Sequence, residues 1–135
     1  MSASLAFVWM DSFARIPDTP SGRANGRTHG VAVSGDGNVI VFHQAENALL
    51  TFDAGGALLS AVGGDRWIGA HGLTLVREGG TEYLWLTDQA SGEVVKVTLQ
   101  GETVQTLVVL STQNQNLRQR SQNFEFSGIN CRVLN

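Results

Sequence analysis

From residue 28 to residue 110 the apolar residues fall in short runs, and the runs come in fours. They are of strand length, rich in Val, Leu, Ile and Phe, and separated by polar or glycine-rich turns. Val39-Ile40-Val41-Phe42 and Tyr83-Leu84-Trp85-Leu86 are nearly continuous rather than alternating. That suits a small sheet covered on both faces. No stretch in this region carries a 3.6-residue apolar period. The pattern predicts strands at about 31–34, 38–42, 48–53 and 57–62, then at about 73–76, 83–87, 93–98 and 103–109. Asp36-Gly37 and Gly55-Gly56 are hairpin-turn dipeptides.

The two sets of four are copies of each other. His29-Gly30-Val31-Ala32-Val33 aligns with His71-Gly72-Leu73-Thr74-Leu75 at an offset of 42 residues. The second copy then has a turn three residues longer, and the offset becomes 45. Gln44-Ala45 falls on Gln89-Ala90, Leu49-Leu50-Thr51-Phe52 on Val94-Val95-Lys96-Val97, and Gly56 on Gly101. Four antiparallel strands at this period describe a β-propeller blade, a unit that stacks face to face around an axis. The expected fold class is therefore all-β, with two four-stranded antiparallel blades at about 28–66 and 70–110. An N-terminal strand and linker (1–27) precede them, and a tail (111–135) rich in Gln, Asn and Arg follows. The tail drops the repeat and reads as disordered or as a non-native end. A plain antiparallel sandwich with accidental self-similarity is the alternative architecture.

The segments "GVAVSGDGNVIVF" and "LLTFDAGGALLSAVGG" closely resemble the NHL-type repeat of six-bladed propellers, and "GLTLVREGGTEYLWLTDQASGEVVKVTLQGETVQTL" follows that pattern less tightly in its first turn. The opening, "FVWMDSFARIPDTPSGR", is similar to the start of a group of bacterial propellers with a tryptophan-bearing first strand. The resemblance implies a six-bladed ring, of which this chain carries two blades, an incomplete ring. Each blade hides one face against each neighbour, so a pair leaves two apolar faces open. Three explanations stand: a truncated chain, three copies forming a homo-oligomer that completes the ring, or flanks (1–26 and 111–135) that cover the open faces.

Composition narrows the classes of function. The chain of 135 residues is 42% hydrophobic and 16% charged, which describes a globular protein. Its net charge is -3 and no basic cluster stands out, so nucleic acid is not an expected partner. Cys131, the only cysteine, has no partner for an internal disulfide. The N-terminus lacks a basic region, and its apolar run is about half a membrane-spanning length. A soluble, cytoplasmic protein with no membrane partner is the expectation. Nucleophile-elbow, phosphate-loop and H-E-x-x-H patterns are missing from the sequence.

All three histidines occupy positions defined by the repeat. His29 and His71 precede the inner strands, while His43 and Asp88 align at the ends of the second strands. Blade geometry places these four on one face, the channel mouth, with His29 and His71 nearest the axis. Imidazole is a good zinc ligand, and catalytic zinc commonly takes three protein ligands and keeps an open position. Here the resemblance extends to the peptidyl-hydroxyglycine amidating lyases, propellers that hold a metal with histidines preceding inner strands. "THGVAV" and "AHGLTL" match those contexts at His29 and His71. This implies a divalent transition metal such as zinc at that pair, with His43 one strand further out. No third histidine stands in an equivalent inner position, so a complete lyase site is not implied. The plainer reading is that His29 and His71 fill the channel mouth and bond to backbone or water. On that reading His43 and Asp88 cap turns, and Phe42, Trp67 and Trp85 pack the blades. Two functions follow: a binding or scaffold module acting through the channel-mouth face on an unidentified ligand or protein, or part of a metal-dependent lyase or hydrolase.

Overall fold

The computed structural model describes residues 6–110, 123–126 and 129–134. The first four runs form β1 (Thr28–Val33), β2 (Val39–His43), β3 (Leu49–Phe52) and β4 (Leu58–Val62), an antiparallel meander in that order. The second four form β5 (Ala70–Glu78), β6 (Thr81–Asp88), β7 (Glu93–Thr98) and β8 (Thr103–Leu110). This sheet continues past β8 into β10 (Ile129–Leu134) and then β9 (Asn123–Phe126). The fold is all-β apart from α1 (Pro20–Asn25), a short helix with Thr19 as N-cap and proline in its first turn. Residues 6–19 contain no strand. Most of the expected disordered tail lies outside the described residues; within it, β10 pairs with β8 along five positions, from Asn130–Leu110 to Leu134–Thr106.

The repeat extends to the irregularities of the two sheets. Gly56 and Gly101 sit in matching turns with φ of 85° and 84°. Only glycine takes that conformation without cost, because a Cβ crowds the following carbonyl. Each donates its N–H back across the turn, Gly56 to the Asp53 carbonyl and Gly101 to the Thr98 carbonyl. The ladder between β3 and β4 shifts register between Thr51 and Phe52, and that between β7 and β8 shifts between Lys96 and Val97, 45 residues later.

The two sheets pack through Ile40, Phe42 and Leu49 on one side and Leu84, Leu86, Val95 and Val97 on the other. Trp67, from the connection between the sheets, is 1% exposed in this layer and meets Phe42 edge-on at 6.1 Å between ring centres. A fully buried aliphatic or aromatic side chain stabilises by about 1.5–3 kcal/mol, so this layer holds the sheets together. Phe42 and Trp67 thus pack as expected, while Trp85 is only half-buried, on the other face of β6. Strands β1 and β5 lie side by side where the sheets meet, with Gly30 against the backbone of Leu73. The opposite face of the first sheet carries Val41, Leu50 and Phe52, and the N-terminal segment covers them with Ala14 and Ile16. Val31 and Val33 share that face and stay 60% exposed. The pair of sheets forms no closed ring. No helix of the described residues is long and apolar enough to cross a membrane.

Candidate functional site

Each histidine of the candidate pair is the extra residue of a β-bulge. In β1, Thr28 and Gly30 pair with the consecutive residues His43 and Phe42, which leaves His29 unpaired between them. In β5, Ala70 and Gly72 pair with Asp88 and Thr87, and His71 is left over in the same way. A bulge locally bends the strand and re-aims the inserted side chain out of the pleat. The following glycine belongs to the device in both copies. A Cβ at Gly30 would strike Leu73, and one at Gly72 would strike Thr87 Oγ1.

The two bulges bring the imidazoles together. The rings of His29 and His71 stack with centres 5.0 Å apart and planes at 18°. Both residues are exposed. Their stacking joins the edge strands of the two sheets at one end of the molecule.

His43 and Asp88 occupy the matching register positions, opposite Thr28 and Ala70, but do different work. His43 is 6% exposed, and its Nδ1 lies 3.1 Å from Thr28 Oγ1. Gly22 and Gly26 of the α1 region stand against its Nε2 edge, where a Cβ at Gly26 would come within 3.1 Å. Burial holds its pKa below the ordinary imidazole value, because removal from water disfavours the charged ring. Asp88 is 3% exposed and uses both carboxylate oxygens on backbone donors: Oδ2 accepts from Gly69 N, and Oδ1 from Ala90 N and Ser91 N. It fastens the turn after β6. In the first sheet that task passes to α1, where Ser21 Oγ accepts from Glu46 N.

The structure therefore brings His29 and His71 together and keeps His43 and Asp88 in supporting positions. Thr28, Ser21 and the α1 glycines escaped the sequence reading. Thr19-Pro20, an N-cap followed by proline at the first helical position, was the available signal for that helix. As a metal centre the set falls short: two stacked rings supply two donors, and no three His, Cys, Asp or Glu among the described residues are grouped to hold an ion. No protein-family model, curated protein or solved structure matches the chain.

Proposed function

We propose that the chain carries two successive blades of an NHL-like β-propeller and acts as a binding or scaffold module through the end that bears His29 and His71. One observation carries the reading: the two sheets expose the same residue type on the same bulge, and the two rings meet. A bulge is an irregularity that tends to sit beside functional sites, and an exposed imidazole contributes little to folding. Both points favour recognition over stability as the role of the pair.

The test separates those two roles. The double variant His29→Ala/His71→Ala should melt within about 2 °C of the parent, as exposed substitutions do. It should also lose the stabilisation that the parent shows with any member of a panel of divalent ions and small ligands. A double variant that melts many degrees lower would make the pair structural and end the proposal. The alternative, part of a metal-dependent lyase or hydrolase, draws on the same pair but needs at least one more ligand. Metal analysis of untagged protein decides it: stoichiometric zinc that disappears in the double variant supports the lyase reading, and metal-free folded protein refutes it.

A further inference from the structure

A groove of about 420 Å³ opens between the sheets, lined by Arg27, Gln44, Ile68, Gly69, Gln89 and Ala90. Its size is that of a small-molecule site. Its walls are built by the repeat. Gln44 N donates to the Arg27 carbonyl, and Gln89 N donates to the Gly69 carbonyl, both at 2.9 Å. The same backbone bond thus seats the residue after β2 and the residue after β6, one glutamine on each side. Gly69 forms part of the lining, and a Cβ there would collide with the backbone and Cβ of Ala90 and with Asp88 Oδ1. Ile68, 52% exposed, supplies an apolar wall.

The electrostatics are one-sided. Arg27 takes part in none of the ion pairs among the described residues, which are Arg23–Asp18, Arg77–Glu82 and Lys96–Glu78. Asp88, which is bonded to the lining residues Gly69 and Ala90, is occupied by its three backbone donors. The groove is therefore lined by an arginine without an ion-pair partner among the described residues and by two glutamines beside an apolar residue, in a chain whose net charge is -3. A guanidinium matches a carboxylate with two parallel hydrogen bonds, and an amide N–H₂ serves the remaining lone pairs.

We infer that this groove binds a small organic carboxylate with an apolar body: the carboxylate on Arg27, Gln44 and Gln89, the body along Ile68 and Ala90. The site uses neither His29 nor His71 and does not depend on the function proposed for them. Phenylacetate is a suitable probe, with neutral phenylacetamide as its control, followed by amide NMR on the full chain. Phenylacetate should shift the amides of Gln44, Ile68, Gly69 and Gln89, and added salt should weaken it. Arg27→Gln, an exposed substitution, should weaken binding by about 10–100-fold, the range expected for a lost charged hydrogen bond. His29→Ala/His71→Ala should leave binding unchanged. The inference is overturned if phenylacetamide binds as well as phenylacetate or if Arg27→Gln binds like the parent. It is equally overturned if the shifts fall outside the groove or fail to appear, or if the histidine variant abolishes them.

Discussion

Gly30 is the position where the pairing of the two sheets is most open to test. An ideal Cβ placed there stands 2.5 Å from Leu73 Cβ, 2.9 Å from Leu73 N and 3.2 Å from Leu73 Cα. All of these atoms belong to the backbone or are fixed to it, so no rotamer change relieves the contact. Gly30→Ala must therefore push β1 away from β5 or strain both. Overpacking of this kind costs about 1–3 kcal/mol. For a chain of 135 residues, an unfolding entropy of about 2.1 cal/mol/K per residue totals about 0.28 kcal/mol/K. The variant should thus melt about 4–11 °C below the parent. Replacing glycine by alanine in the unfolded chain acts in the opposite direction, by about 0.4–1 kcal/mol, so any loss observed understates the clash. Thermal unfolding followed by the near-ultraviolet signal of buried Trp67 reports on the layer concerned. Adding Leu73→Ala should restore nothing, because the offending atoms remain. The repeat-related Gly72→Ala should cost less, since its neighbour is the rotatable Thr87 side chain. A Gly30→Ala melting point equal to that of the parent would show that the sheets do not meet at this point, and rescue by Leu73→Ala would show that they meet through the outer Leu73 side chain rather than its backbone.

Three further outcomes are expected. Asp88→Ala strips three backbone N–H groups of their acceptor and should cost about 2–4 kcal/mol in urea unfolding, whereas Asp88→Asn, which keeps one acceptor oxygen, should cost less. His43 is held below its ordinary pKa by burial, so the unfolded chain takes up its proton first: stability should be full above the ordinary imidazole value and fall as the pH drops through it. Melting curves of His43→Asn should show a shallower loss over that range. Glu82 is held below the ordinary glutamate value, first by the Gly35 N–H and then by Arg77. In a carboxyl NMR titration it should protonate below the ordinary glutamate value, and Arg77→Gln should raise its midpoint without restoring it fully. Its contribution to stability is present above the ordinary glutamate pKa and disappears as the pH falls.

Eight of the ten strands of the two sheets could be read from the runs of apolar residues because each run is bounded by a turn that leaves a chemical mark; β9 and β10 lie in the stretch read as a disordered tail. Gly37 and Gly56 are such marks, at φ of 83° and 85°. The edge strands were harder. β1 begins at Thr28 and β5 at Ala70, both about three residues before the apolar pattern starts. The reason is the bulge, since one unpaired residue shifts the alternation without changing composition. His29 and His71 were visible as a repeated motif, but their mutual approach depends on how two sheets pack, which no local pattern encodes. Asp88 was legible as a turn cap, since short polar side chains favour that role. The burial of His43 was not, because it comes from α1, a helix of six residues with no apolar period to announce it.

The N-terminal segment sets an order of events during synthesis. Ala14 and Ile16 cover Val41, Leu50 and Phe52, and the Phe13 carbonyl lies so close to Gly56 that no side chain fits between them. The segment thus leaves the ribosome about 40 residues before the surface that receives it exists. At about 5–20 residues per second this is a wait of roughly 2–8 s. Throughout that interval Phe7, Val8, Trp9 and Met10, which are still exposed after folding, travel on an unanchored stretch of chain. Such a stretch is an apolar handle open to chaperones until its receiving surface forms, and the first sheet is complete only when residue 62 has emerged.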